Sequence, residues 1–384
     1  MEGKHQCLIV LFIFYITLPS LLSEKCFSRS QNLQYYLATK TPYRYTSNSN
    51  DSFIHYPGCE PLRIWMMIRH GTRYPSSKVI RLMRERLPQI RDSILQNHKS
   101  KRGKLCNEEI AELQAWSPHV EEADQKRLSH EGEDEMVELA ERFQNRFPQI
   151  LPEVYNNSTF KFRHTATQRA SESARHFAVG LFGRRVSRYV WFPEAIYKDP
   201  ILRFYKLCQR WRVEVDKNPE SMFERIKFEE GPEMSTTLKD VSYRLGFNQT
   251  INIDDAVLMF VTCSFETAWD HRARSPWCAA FSEHNMKNNK PVTDRDSPLS
   301  ANDVPVFCRL PTRCRAQPSK AGKYRILACG RQLKVLTMHQ ERPVILPGCP
   351  KSDLCPIKVL KDQYNESFTD CNFDQMCGLH SDDL

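Results

Sequence analysis

The sequence has no apolar run long enough to cross a membrane as a helix. Its most apolar stretch, Leu8 to Leu18, is shorter than the about 20 residues that a spanning helix needs. Lys4 precedes this stretch and the small residue Ser23 follows it, which is the form of a signal peptide over residues 1–23. The sequence therefore predicts entry into the secretory pathway without a stable membrane span, with an uncleaved anchor as the alternative.

The sequence also lacks the cysteine spacing of a zinc site. Cys349 and Cys355, like Cys371 and Cys377, have neither a two-residue spacing nor a neighbouring histidine. The fourteen cysteines fit an oxidising compartment and indicate disulfides, whose pairing the sequence leaves open. Cys59 directly precedes the first predicted strand and is expected to be a disulfide anchor.

One segment carries +8 of the net charge of +9. Nine Lys and Arg residues lie between Arg309 and Arg342, where Glu341 is the one acid, and the rest of the chain is close to neutral. The charge therefore does not indicate a nucleic-acid partner.

Two further signals agree with secretion. Asn-X-Ser/Thr glycosylation sequons occur at Asn50, Asn156, Asn157, Asn248 and Asn365. The last four residues, 381–384, resemble the Lys-Asp-Glu-Leu class of retention signal. We expect the lumen of the endoplasmic reticulum or secretion, with a retention-signal receptor as a partner.

The most informative stretch is Arg69-His70-Gly71-Thr72-Arg73-Tyr74-Pro75. It follows the apolar run 64–68, which predicts a buried strand, and precedes a predicted helix over 77–98 that is interrupted by Pro88. Two guanidinium groups beside a helix start can bind phosphate oxygens, and a neutral histidine between them is a competent nucleophile. The basic residues of that helix are expected to be a solvated face more than a ligand surface.

A second strand, turn and helix repeat this arrangement. Residues 159–164 predict a strand, and the turn that follows ends in Arg169. In a doubly wound parallel sheet such turns meet at one edge, so Arg169 is expected to face His70. Arg163 and His164 are candidates to line the same pocket, with an ion-pair role as the alternative for Arg163.

The motif at residues 69–75 resembles the signature of the histidine acid phosphatases. Cys263–Trp269, Ser275–Cys278 and Pro343–Cys349 narrow the resemblance to the multiple inositol polyphosphate phosphatase branch. The resemblance implies an α/β fold with a mainly parallel twisted sheet, helices on both faces and an inserted helical cap. The implied phosphatase domain covers 24–199 and 336–378, and the implied cap covers 200–284.

The resemblance also implies a two-step hydrolysis of phosphomonoesters without metal or other cofactor. His70 would form a phosphohistidine, and Arg69, Arg73 and Arg169 would hold the phosphate oxygens. The small anionic substrate would be inositol hexakisphosphate or its lower esters, with bisphosphoglycerate as a second possibility. Residues 128–132 resemble an element that supports the phosphate loop, which makes His130 structural. A non-catalytic ligand binder and a broad-specificity secreted acid phosphatase are the alternatives.

The proton-donor motif of the family has no clear counterpart. Residues 285–335 lack periodicity and are interpreted as an atypical segment, either disordered or altered by splicing. His339-Gln340-Glu341 has a histidine and an acid at the spacing of the motif. Arg342-Pro343 follows, however, and a helix cannot run through that proline. The sequence therefore predicts phosphate binding with slow hydrolysis.

Overall fold

The structure is a computed structural model, and it describes residues 26, 32–270, 274–288, 322–329, 332–363, 365 and 377–378. The twelve α-helices of the described part are α1 Tyr43–Thr46, α2 Ser77–Glu85, α3 Leu87–Lys99, α4 Asn107–Ala115, α5 His130–Arg146, α6 Gln168–Val186, α7 Gln209–Trp211, α8 Phe223–Glu229, α9 Pro232–Leu245, α10 Ile253–Trp269, α11 Glu283–Asn288 and α12 Ile357–Gln363. Short 3₁₀ turns and one π turn, Arg212–Asp216, connect several of them.

The helix predicted over residues 77–98 is confirmed. The basic helix divides into α2 and α3, with Pro88 in the first turn of α3, where proline is tolerated because its missing N–H has no intrahelical partner. Ser129 caps α5 by accepting a hydrogen bond from Gly132 N at 3.3 Å, and α5 ends just before Pro148. The arginines of α2 and α3 pair with acids, Arg81 with Glu122 for example, which agrees with a solvated face.

The five strands of the described residues are β1 Cys59–Met66, β2 Gly322–Cys329, β3 Gln332–His339, β4 Arg342–Pro343 and β5 Leu354–Pro356. They form one sheet in the order β1-β2-β3-β4, and β5 pairs with β3. β2 thus comes from the segment that the sequence marks as atypical, whereas 289–321 lie outside the described residues. The predicted signal peptide, 1–23, and the predicted retention signal, 381–384, also lie outside them.

The prediction of a mixed α/β fold is confirmed, but the predicted strand direction is wrong. Every strand pair within the described residues is antiparallel, because β2 and β3 are consecutive and fold back on each other beside β1. β1 lies at the end of this order, so its side chains are half-buried or exposed instead of buried, with Trp65 49% exposed.

The second predicted strand, residues 159–164, has no regular secondary structure and does not join the sheet. Phe160 and Phe162 alternate as in a strand, yet their rings pack on Phe182 of α6, with centroids 4.9 and 6.5 Å apart. The alternation that indicates a strand therefore serves an aromatic cluster.

Two hydrophobic clusters form the interior. The first, the helical core, joins α2, α3 and α4 to α9 and α10, with Met83, Leu113, Val241 and Met259 among its buried members. The second, the sheet core, packs α5 and α6 on the sheet. The helices of the predicted cap beyond residue 232 thus share a core with helices of the predicted phosphatase domain.

Five disulfides link the described cysteines: Cys26–Cys106, Cys59–Cys329, Cys208–Cys377, Cys263–Cys278 and Cys349–Cys355. The predictions of disulfides in place of a metal at Cys349 and Cys355, and of an anchor at Cys59, are confirmed. None of the described helices has the length and apolar character that spanning a membrane requires.

Candidate active site

The phosphate loop, Arg69–Pro75, joins β1 to α2 and is held through its backbone. Thr72 N donates to Oε2 of Glu135 at 2.7 Å, and Ser129 N donates to Thr72 O at 3.0 Å. The other backbone bonds of the loop include Gly71 N to Ser173 Oγ (3.1 Å), Tyr74 N to Arg127 O (2.9 Å) and Lys126 N to Pro75 O (2.8 Å). Because these contacts use backbone groups, the loop keeps its shape without using the side chain of His70.

Two glycines let the start of α5 approach this loop. A Cβ on Gly71 would lie 2.2 Å from Gly132 O, and a Cβ on Gly132 would lie 2.1 Å from Thr72 O. Both positions therefore require glycine, since no side-chain atom fits at such distances. The predicted support of the loop by residues 128–132 is confirmed, while His130 points into solvent with 93% of its side chain exposed.

His70 is oriented by its own loop. Its Nδ1 lies 2.8 Å from Gly71 O, and because a carbonyl only accepts, Nδ1 carries the proton and the lone pair lies on Nε2. Burial lowers the pKa of His70 to about 3, and the charges of Arg69, Arg169 and Arg73 also lower it, against the opposing hydrogen bond to Gly71. The imidazole is therefore neutral and nucleophilic over the physiological range.

The structure brings the three predicted arginines together around His70, since all three charges act on its pKa. Arg69 is exposed, whereas Arg73 and Arg169 are half-buried. Burial lowers the pKa of Arg169, as do the nearby charges of Arg203 and Arg69. Within the part of the chain that the structure describes, its buried Nε has no hydrogen-bond partner. Such a cluster of cations is a favourable place for an anion.

Arg203 is a fourth cation of this site, near Arg169, and no sequence motif marks it. It follows a turn that Asp199 holds by accepting from Ile201 N and Leu202 N at 2.8 and 2.9 Å. Arg163 Nε donates to the same Asp199 at 2.7 Å, so the alternative reading of Arg163 as an ion-pair partner is confirmed.

His164 lies beside Phe192, an aromatic residue that follows α6. Its Nδ1 lies 3.1 Å from Thr165 O, and its ring centroid is 6.0 Å from that of Phe192. Its place in a ligand pocket stays a prediction.

Glu341 occupies a structural position instead of a proton-donor position. Gln340 and Glu341 have φ values of +46° and +62° and form the turn between β3 and β4, so no helix follows His339. The buried Glu341 carboxylate accepts from Tyr43 Oη at 2.7 Å, from Arg142 Nε at 3.1 Å and from Arg146. Although burial raises the pKa of Glu341, these three partners bring it below its ordinary value, so the carboxyl carries no proton to donate near neutral pH.

Residues 63–303 match the family model of the histidine phosphatase superfamily (branch 2). The chain belongs to this superfamily. It is 34% identical over 275 residues to a protein named multiple inositol polyphosphate phosphatase 1 from Drosophila melanogaster, and 30% identical over 230 residues to one of the same name from Gallus gallus. The predicted family is thereby confirmed.

These matches cover 67% and 60% of this superfamily member and 56% and 48% of the two relatives. The chain thus spans about half the length of the curated relatives it matches. The solved structure of a phytase from D. castellii superimposes on it with a TM-score of 0.64 at 14% identity, covering 92% of this chain and 89% of that one. At this identity the likeness concerns the fold.

The sequence does not predict several residues of the site, because they come from distant parts of the chain. Glu135, Ser173 and Arg203 lie far along the chain from the residues they adjoin. Their positions carry no motif of their own, since each depends on how α5, α6 and the turn after Asp199 pack. The glycine in Leu128–Gly132 is the one local signal, because a glycine near a helix start often marks a close backbone approach.

Proposed function

We propose that this chain binds phosphorylated ligands and acts as a phosphomonoester hydrolase on inositol polyphosphates. The main observation behind the proposal is that His70 is a neutral imidazole with its lone pair on Nε2. The charges of Arg69, Arg73 and Arg169 surround it. The names of the curated relatives support inositol polyphosphates as the substrate class.

In the proposed reaction His70 Nε2 forms a bond to phosphorus while the bond from phosphorus to the ester oxygen breaks. The arginines hold the non-bridging phosphate oxygens, where charge must be balanced in the transition state. The leaving alkoxide takes its proton from solvent water. A water molecule then forms a bond to phosphorus as the bond from Nε2 to phosphorus breaks, which releases inorganic phosphate and restores the neutral histidine.

The proposed turnover is slow because the chain lacks an evident proton donor among the described residues. Glu341 is engaged by Arg142, Arg146 and Tyr43, and it is held below its ordinary pKa. General acid catalysis contributes roughly 10²–10⁴ in rate. We therefore expect phytate hydrolysis to be slower than in a family member with the complete motif by about this factor.

Replacement of the nucleophile tests the proposed mechanism. The His70→Ala variant should form no acid-labile phosphoenzyme and release no phosphate from phytate, because the atom that attacks phosphorus is gone. His130→Ala is the matched control, since His130 is exposed and should leave both signals unchanged. Phosphoenzyme that persists in His70→Ala would show that another residue is the nucleophile.

A non-catalytic ligand binder is the second candidate, and the engagement of Glu341 favours it. A cluster of cations suffices to bind a phosphate group, whereas rapid departure of an alkoxide needs a proton donor. Calorimetric binding of phytate together with a complete lack of phosphate release would select this candidate, and hydrolysis of a small aryl phosphate in preference to phytate would select a broad-specificity phosphatase.

Arg203 supports a substrate with more than one phosphate. Its charge acts on Arg169, which places a cation beside the group that would hold the transferred phosphate. A polyphosphorylated ring could contact Arg203 with a phosphate that does not react, whereas a monophosphate could not contact both sites.

We infer an oxidising compartment, either lumenal or extracellular, from the five disulfides. The asparagines of all five sequons are exposed and thus accessible for glycosylation. Treatment of protein from secreting cells with an N-glycosidase should increase its electrophoretic mobility, and unchanged mobility would contradict this assignment.

A further inference from the structure

Glu135 makes the most direct side-chain contact with the phosphate loop. It lies on α5, is 6% exposed, and its two oxygens accept three hydrogen bonds. Oε2 accepts from Thr72 N at 2.7 Å, while Oε1 accepts from Thr72 Oγ1 at 2.9 Å and from Tyr43 N at 3.1 Å. One buried carboxylate thus holds both the backbone and the side chain of Thr72.

All three partners of Glu135 are donors. An ionised carboxylate is an acceptor at both oxygens, so it matches this set, whereas the amide of a glutamine would direct its NH₂ group at one of the donors. A buried donor without an acceptor is costly, and a shift of the loop is the means by which the structure can relieve it.

Thr72 is well placed to transmit such a shift. It lies between Gly71, which accepts the Nδ1 hydrogen bond of His70, and Arg73, which helps lower the pKa of that histidine. Its carbonyl is held from the other side by Ser129, through N at 3.0 Å and Oγ at 2.9 Å. The contacts of Glu135 and Ser129 therefore fix the two peptide units on either side of the Thr72 Cα atom.

We propose that Glu135 is a positioning residue that sets the geometry of His70 relative to Arg73 by fixing Thr72 in the phosphate loop. Glu135 does not touch the reacting atoms in this proposal and acts only through Thr72. The inference rests on the proposed function for its effect on phosphoryl transfer, but its effect on loop geometry is independent of turnover.

The Glu135→Gln variant tests the proposal, with Glu138→Gln as the matched control. Glu138 lies three residues further along α5, is largely exposed and pairs with Arg142 outside the loop. We expect Glu135→Gln to slow phosphoenzyme formation by about 100-fold, the effect of an about 1 Å misplacement of a catalytic group. Glu138→Gln should match the unaltered chain.

A second measurement does not depend on activity. An NMR titration of His70 reports its pKa, which is depressed as long as burial and the three arginine charges persist. Glu135→Gln should raise this pKa toward the ordinary value by about one unit or more, because displacement of the loop exposes the ring. Glu138→Gln should leave it unchanged.

The outcomes separate the two hypotheses. A lower unfolding temperature for Glu135→Gln, with an unaltered His70 pKa and an unaltered phosphoenzyme rate in the folded protein, would make Glu135 merely structural and overturn the inference. A chain that forms no phosphoenzyme at all would refute the proposed catalysis, and the titration would still decide the role of Glu135. If Glu135→Gln fails to fold, Glu135→Asp retains the charge, withdraws the carboxylate from Thr72 and is evaluated by the same two measurements.

Discussion

At the scale of single residues, the environment of His70 shows what the motif predicts and what it does not. The sequence is sufficient to predict the group formed by His70, Arg69, Arg73 and Arg169. A histidine between two arginines and a second helix start are both local patterns. The burial that keeps the imidazole neutral is a property of packing, and so are the contacts of Glu135 and Ser173 with the loop. No local pattern of residue types reveals these distant partners.

Glu266 supports a residue-scale prediction about pH. Its carboxyl accepts from Trp116 Nε1 at 2.8 Å and from Ser275 Oγ at 2.5 Å. Burial raises its pKa from 4.5 to about 7, although both hydrogen bonds lower it. The folded state thus retains a proton that the unfolded state releases, so its stabilising contribution is full below pH 4.5 and is lost as the pH rises through about 7.

The Glu266→Gln variant should lack this pH dependence. Between pH 4.5 and 8 the free energy of unfolding of the unaltered chain should fall by about 3 kcal/mol more than that of the variant, because each pKa unit corresponds to about 1.4 kcal/mol. Urea unfolding at several pH values measures the difference. Glu112→Gln, which removes an exposed carboxylate, is the control, and parallel pH curves for Glu266→Gln and the unaltered chain would contradict the prediction.

At the scale of elements, helices are predicted better than strands. α2, α3 and α5 follow from caps, prolines and apolar spacing, which act within a few residues. Strands depend on partners that are distant in the chain, so residues 159–164 do not form the strand that their alternation predicts. For the same reason the parallel sheet implied by the family resemblance is an antiparallel one in the described residues. Arg169 nevertheless lies near His70, because α6 contacts the phosphate loop directly through Ser173.

The contact between α5 and the phosphate loop yields an element-scale prediction. Gly132→Ala would place a Cβ 2.1 Å from Thr72 O, and a backbone atom cannot yield as a flexible side chain would. We expect a loss of about 1–3 kcal/mol in the free energy of unfolding, the usual cost of overpacking, together with weaker phosphate binding. Thermal unfolding and calorimetry with inorganic phosphate provide the measurements.

Gly58→Ala is the control for that experiment. Gly58 has a φ of +71° with open space around it, so alanine there costs about 1 kcal/mol of backbone strain without a clash. It should leave phosphate binding unchanged. Equal phosphate affinity in Gly132→Ala and Gly58→Ala would show that the glycine contact does not shape the loop.

At the scale of the whole molecule, Glu341 connects three distant parts of the chain. It joins the turn between β3 and β4 to Arg142 and Arg146 on α5 and to Tyr43 on α1, and Tyr43 N reaches Glu135. Glu341 and Arg146 are 0% and 1% exposed, so removal of the charge would take the carboxylate away from a buried guanidinium.

Substitution of Glu341 should therefore reduce stability strongly. We expect Glu341→Gln to lower the free energy of unfolding by about 3–5 kcal/mol, the usual effect of breaking a buried ion pair. Glu138→Gln, which removes an exposed partner of Arg142, should cost about 1 kcal/mol or less. Similar unfolding temperatures for the two variants would argue against a structural role for Glu341.

The Cys59–Cys329 disulfide has a consequence for the covalent topology of the molecule. It joins two residues that face each other across β1 and β2 but are 270 positions apart, so the oxidised chain contains a covalent ring that runs from Cys59 to Cys329. A single backbone cut between residues 60 and 328 opens the ring without releasing a fragment, and both pieces stay together until a reductant is added. The redox potential of the surroundings therefore determines whether the two pieces of a cleaved molecule remain covalently joined.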